Sequence, residues 1–285
     1  MTGERPLGLV LLEMTLLVLL GPLVTGTIQK LKARLQCRQG AGVLQPYRDL
    51  AKLLRKGTVQ ADTASGFFRS IPVLVLAATI AAGALVPVVR AGAPAFPLGD
   101  ALMLLGLLAL ARFLAAVGAL DAAERAAGTT ELGTLAAHRG TSWILAWRAA
   151  DLLGFAAMLV LLPAETGRIP VDNPDTHLEL TMLHEGMLLE HSGPGLGCMV
   201  LASHTRQIVT LGFVAALFFP VGLADGASAI GLLLGAGAFA AKVLALATYL
   251  GLVESSYGKL RFFRLPQYLA IGFVCALAAL ALRIL

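Results

Sequence analysis

The sequence predicts an all-α, polytopic transmembrane bundle, and three observations carry that prediction. Hydrophobic residues make up 58% of the 285-residue chain and charged residues only 14%, a balance foreign to a water-facing surface. Seven apolar runs approach or reach the roughly 20 residues needed to cross a hydrocarbon core of about 30 Å. The ionisable residues gather between those runs, in one basic and one acidic stretch.

The runs place spans near 7–25, 69–89, 98–120, 143–163, 198–221, 227–250 and 266–284. The first follows a lone Arg5, contains Glu13 and lacks a small-residue cleavage site, so it reads as a retained helix. Between the first two spans, loop 26–68 carries Lys30, Lys32, Arg34, Arg38, Arg48, Lys52, Arg55 and Lys56, which marks it as cytoplasmic. Within it Pro46 opens an amphipathic helix with Tyr47, Leu50, Leu53 and Leu54 on one side, and Gly57 ends it. Such a helix lies on the membrane surface or against a partner. The loop after the sixth span holds Lys259, Arg261 and Arg264 and is cytoplasmic by the same rule. Counting spans backward from it puts the acidic segment 171–197 inside, whereas counting forward from the basic loop puts it outside. Either residues 121–142 cross irregularly or a helix between Leu120 and Thr141 is absent.

A net charge of +5 beside membrane spans is orientation signal, not a nucleic-acid footprint. Cys37, Cys198 and Cys275 are isolated and form no C-x-x-C pair for an iron–sulfur cluster or zinc. His177, His184 and His191 recur every seven residues, about two turns apart, too far to share one ion. No cofactor or metal is therefore assigned to this chain. The paired halves and interrupted helices of a secondary transporter are not evident either.

The segment from Ile169 to Gly193 holds five carboxylates: Asp172, Asp175, Glu179, Glu185 and Glu190. Asn173 with Pro174 can start a helix on which Asp175, Glu179 and Glu190 fall within roughly 60° of one another, while Glu185 points elsewhere. Clustered carboxylates raise each other's proton affinity, as a proton relay requires; a solvated acidic helix is the equal alternative. Inside the spans Glu13, Arg112, Arg148 with Asp151, and Lys242 are expensive in lipid and face the bundle interior. Arg148 and Asp151, three apart, read as a structural pair, and Arg112 as a structural charge. Lys242 has no carboxylate one turn away and suits a relay; Glu254 suits a relay or a snorkelling surface carboxylate. The Gly and Ala richness of 226–247 points to close helix packing.

Arg38-Gln-Gly-Ala-Gly-Val-Leu-Gln-Pro-Tyr-Arg-Asp-Leu-Ala-Lys-Leu-Leu-Arg-Lys56 resembles the basic first loop of the complex I subunit 1 family. Val171-Asp-Asn-Pro-Asp-Thr-His-Leu-Glu-Leu and Leu189-Glu-His-Ser-Gly193 are most similar to the C/D-type membrane subunits of formate hydrogenlyase and other group 4 nickel–iron hydrogenases. Leu98-Gly-Asp100, Ala111-Arg-Phe113, Leu120-Asp121, Lys242 and Glu254 extend the resemblance over nearly the whole chain. Gly40-Ala41 stands where the family has Gly-Pro. The family has eight spans, and its fourth helix is not recognisable here, Gly128-Thr-Thr-Glu131 following Leu120-Asp121.

The resemblance implies a non-catalytic, multi-pass subunit of a bacterial inner-membrane redox complex. Its partners would be hydrogenase-like large and small subunits, iron–sulfur subunits and antiporter-like membrane subunits, with the nickel–iron centre and the clusters held by those partners. Arg38, Gln45, Pro46, Tyr47, Arg48, Asp49 and Lys52 would dock the soluble arm. Asp172, Asp175, Glu179, Glu185, Glu190, Lys242 and Glu254 would line a proton path. The alternative is the quinone-cavity subunit of an NADH dehydrogenase-type complex.

Overall fold

The computed structural model describes residues 7–57, 66–86, 88, 103–104, 106–110, 149–171, 191–219, 221–222, 229–258 and 265–284. All of their regular structure is helical: α1 Leu7–Leu35, α2 Gln45–Arg55, α3 Gly66–Leu85, α4 Ala149–Glu165, α5 Gly193–Phe218, α6 Ala229–Ser256 and α7 Leu265–Ile284, with a shorter helical stretch at 106–110. Of these, α1, α5 and α6 are long and apolar enough to cross a membrane. The chain is an all-α membrane protein, as its hydropathy predicts. Expected crossings of 121–142, and the residues Arg112 and Arg148, lie outside the described residues.

The helix α1 runs ten residues past the predicted span end at Thr25. The reason is chemical: Lys30, Lys32 and Arg34 read as loop by charge, yet Lys and Arg favour helices and complement the C-terminal dipole. Arg38 N–H then bonds the Ala33 carbonyl and Cys37 N–H the Arg34 carbonyl, a Schellman closure with Cys37 in the left-handed region at φ 54°. The chain folds back along α1. Lys30 Nζ donates to the Gly40 carbonyl at 3.0 Å, and a Cβ at Gly26 would stand 2.0 Å from the Val43 carbonyl oxygen. With Pro46 in its first turn, α2 covers Gln45–Arg55 and lays Pro46 and Leu50 against the bundle.

At the centre lies α5, packed against α1, α2, α3, α4 and α6. Its apolar core partners include Leu17, Ile28, Val86, Phe239 and Leu250, while Ile71, Val75 and Ala78 of α3 meet Met199 and Ala202 in a second cluster. Phe155 of α4 meets Phe218 at 5.2 Å with the rings tilted by 56°, and Phe219 edge-on. On the outside, α7 packs on α4.

Three prolines lie inside these helices, Pro22, Pro72 and Pro163, and beside the first and last of them tyrosines from neighbouring helices meet backbone carbonyls. Pro163 offers no N–H to the Leu159 carbonyl four residues back; Tyr249 of α6 donates to that oxygen at 3.0 Å, and Tyr268 of α7 to Val160 at 2.7 Å. Beside Pro22 in α1, the Tyr47 hydroxyl of α2 donates to the Leu19 carbonyl. In lipid such carbonyls have no water to turn to.

Helix directions follow from the contacts. Gly21 meets His204 and Gly83 meets Val209, so α1 opposes α5 and α3 runs with it. Leu31 lies on Gly251, Gly154 against Phe218 and Gly272 against Leu161. The C-terminal ends of α1, α4 and α6 therefore share one end of the bundle with the N-terminal ends of α3, α5 and α7. Val171 and His191, which bracket the acidic segment, stand at this basic end, the arrangement given by counting spans backward. Residues 86 and 149 both lie at the opposite end.

Replacing Tyr249 by Phe leaves the Leu159 carbonyl without its donor and should lower stability by about 1–3 kcal/mol. A detergent thermal-unfolding midpoint equal to that of the wild type would refute the capping role. Gly26→Ala overpacks the α1–loop contact by about 1–3 kcal/mol, seen in the same measurement as a lower midpoint.

Candidate functional site

Beneath the basic end, three helices and one corner bring six polar side chains together. The corner follows α4, where Gly167 at φ 61° lets Arg168 N–H reach the Pro163 carbonyl at 2.8 Å. From there Arg168 Nη1 donates to Glu254 Oε1 of α6 at 2.7 Å, and Nη2 to Gln207 Oε1 of α5 at 3.0 Å. The carboxylate of Glu254, 4% exposed as a residue, also has Lys32 Nζ of α1 at 3.7 Å.

Thr25 Oγ1 of α1 lies 2.9 Å from the same Gln207 oxygen and 3.0 Å from His204 Nδ1. These contacts assign the protons. The guanidinium fixes which end of the Gln207 amide is oxygen; Thr25 gives its single proton to that oxygen and accepts one from His204 Nδ1. Such a chain ends at an amide oxygen pinned by a guanidinium that does not deprotonate, so it clamps helices together and is no through-going wire. Gln207 Nε2 is buried and has no hydrogen-bond partner among the described residues.

Alongside the same end of the bundle, α2 turns Arg48, Lys52 and Arg55 outward within roughly 60° of one another, opposite Pro46 and Leu50. Arg38 is also exposed. Gln45 Nε2 donates to Asp49 Oδ1 at 2.8 Å, and Lys52 Nζ stands 3.9 Å from it. Partial burial pushes the Tyr47 phenol above its ordinary pKa.

Of the proton-path candidates, Asp172, Asp175, Glu179, Glu185 and Glu190 lie outside the described residues. Glu254 enters the cluster. Lys242 does not: it is half-buried twelve residues earlier on α6, about 18 Å along the axis, and donates to the Val221 carbonyl. Glu13 is buried, and Asp151 sits half-buried in the first turn of α4. Sequence reasoning missed Thr25, Arg168, His204 and Gln207. One signal was available, because Ser203-His-Thr-Arg-Gln207 is a polar run inside an apolar span, Arg206 included. Among the described residues no group of three or more His, Cys, Asp or Glu could hold a metal ion.

Replacing Arg168 alone by Met takes from the buried Glu254 carboxylate its direct hydrogen-bonded partner and leaves only Lys32 at 3.7 Å, a loss of about 3–5 kcal/mol. Adding Glu254→Met should return most of it, because two apolar side chains can replace a buried pair at little cost. Thermal unfolding of both variants checks this. A double variant as unstable as the single one would show that the pair is not the source of the loss.

Against known proteins, residues 7–125 and 123–284 match the NADH dehydrogenase family. The chain is 30% identical to formate hydrogenlyase subunit 4 of Escherichia coli, over 94% of this chain and 96% of that protein. Identity to hydrogenase-4 component C of the same organism is also 30%, over 95% and 93% of the two chains. A chain of the membrane-bound sulfane sulfur reductase, an archaeal respiratory membrane complex, shares the fold with a TM-score of 0.64 at 18% identity, covering 95% of this chain and 98% of its own. With a basic amphipathic helix, a buried ion pair and the two residues that flank the acidic segment at one end of a helical bundle, and with these similarities running almost end to end, the chain belongs to the NADH dehydrogenase family of complex I subunit 1-like membrane proteins.

Proposed function

We propose that this chain is the non-catalytic membrane subunit on which the soluble arm of a hydrogenase- or formate-hydrogenlyase-like complex is seated, and that it couples that arm to proton movement. The observation that carries the reading is the convergence at one end of the bundle. There the cationic face of α2 and both residues flanking the acidic segment share one end with the Arg168–Glu254 pair. The near full-length similarity to formate hydrogenlyase subunit 4 supports the same assignment.

In this reading Arg38, Arg48 and Lys52 draw in an acidic face of the arm, which speeds encounter and fixes its orientation. Gln45, Pro46, Tyr47 and Asp49 shape the seat. Asp172, Asp175, Glu179, Glu185 and Glu190 receive protons beneath the arm, and Lys242 and Glu254 carry charge within the bundle. The nickel–iron centre and iron–sulfur clusters belong to the hydrogenase-like large and small subunits and the iron–sulfur subunits, and antiporter-like subunits adjoin in the membrane. The basic end faces the cytoplasm of a bacterial cell, and the chain crosses the inner membrane many times.

Purification of the tagged chain in mild detergent should recover nickel–iron hydrogenase-like and iron–sulfur subunits. The triple change Arg48→Glu, Lys52→Glu and Arg55→Glu should cut that recovery at least tenfold, with the chain still membrane-inserted. Recovery of the chain alone, or with quinone-reducing complex I subunits only, refutes the assignment.

A further inference from the structure

The α5–α6 connection departs from the helical ladder at membrane depth. The cap of α5 lies at Phe219, whose N–H bonds the Ala215 carbonyl, ahead of Pro220. Gly222, at φ 74°, lies so close to α6 that a Cβ there would stand 2.7 Å from the Ala238 Cβ. Ala238 is nine residues into α6, about 14 Å from its start at the far end of the bundle and roughly half of a hydrocarbon core. Irregular backbone at that depth persists only when protein covers it or it lines a wet cavity, because lipid supplies no hydrogen bonds.

This backbone lies on the outside of the chain: Val221 is 43% exposed and Gly222 is exposed. The half-buried ammonium of Lys242 donates to the Val221 carbonyl and meets no carboxylate among the described residues. Next to Lys242, Ala241 and Ala245 are exposed on α6, small enough to admit another helix at close range, and Leu234 flanks them at 70% exposure. Lipid would serve the leucine. It serves neither an ammonium ion nor irregular backbone at mid-depth.

We propose that Leu234, Ala241, Lys242, Ala245, Val221 and Gly222 form the seat of one transmembrane helix from a different membrane subunit, carrying a carboxylate at mid-depth opposite Lys242. A second copy of this chain fits poorly, since a twofold contact centred on this strip would bring two Lys242 ammonium groups together in lipid. The inference rests on reading the chain as one subunit of a membrane complex and adds which face meets the neighbour and what chemistry the neighbour presents.

The test is photo-crosslinking in native membranes, with p-benzoylphenylalanine in place of Leu234 or Ala241 in the tagged, assembled complex. The expected product is one adduct with another membrane subunit that co-purifies in the same complex, its attachment point within a transmembrane segment that contains Asp or Glu. On that background Lys242→Met should reduce the adduct at least fivefold, and Lys242→Arg should retain it. Adducts to lipid only, an adduct to a second copy, or a yield indifferent to Lys242→Met would each overturn the proposal. Recovery of the soluble arm is scored in the same samples. Arm present with adduct absent overturns this interface alone, and arm absent with adduct present overturns the docking assignment alone.

Discussion

Every backbone carbonyl in the hydrocarbon layer needs a donor from the protein itself, and this bundle is organised by how that need is met. Prolines in α1 and α4 disturb the internal ladders beside Leu19 and Leu159. Tyr249 supplies the donor that Pro163 withholds from Leu159, and Tyr47 and Tyr268 add donors at Leu19 and Val160, each from a different helix. A kink is thereby turned into a link: α2 is fastened to α1, and both α6 and α7 to α4. The same logic governs Lys242, whose charged head meets a carbonyl where α5 has stopped. The polar atoms of these long side chains do what apolar packing between helices cannot, because lipid tails compete for apolar contacts as well as leucines do.

The buried ion pair obeys a related constraint. Two charges withdrawn from water gain little over a well-packed apolar pair, so the arrangement of Arg168, Glu254 and Lys32 is best understood through its geometry. It ties the corner after α4 to α5, α6 and the end of α1 at once. Removing a single member exposes the others to the full cost of burial. That is why this group sits where the bundle hands over to the connections at its basic end, close enough to solvent for Lys32 to remain partly exposed.

Much of this was legible in the residue order, and the limits have physical causes. Hydropathy located the helices, and Pro46 with its apolar spacing located α2 almost to the residue. The end of α1 was misplaced because positive charge signals water while lysine and arginine also extend helices. The polar cluster was invisible as a unit: Thr25 and Gln207 are 182 positions apart, and only folding sets them 2.9 Å from each other. Charged residues stood out singly, Lys242 inside its span and Glu254 just past it, but no pattern on one helix announces which carbonyl or side chain on another will meet them.

The folded-back chain beside α1 has a mechanical corollary. Across from it α2 climbs the same bundle, Pro46 beside Gly26, Leu53 and Leu54 against Gly197, and Lys56 against Gly193, so the two helices rise together along α5. Any polypeptide that settles on this end meets exposed Arg34, Cys37 and Arg38 at one rim and exposed Arg55 and Lys56 at the other, and its footing is set by the gap between two uprights as well as by charge.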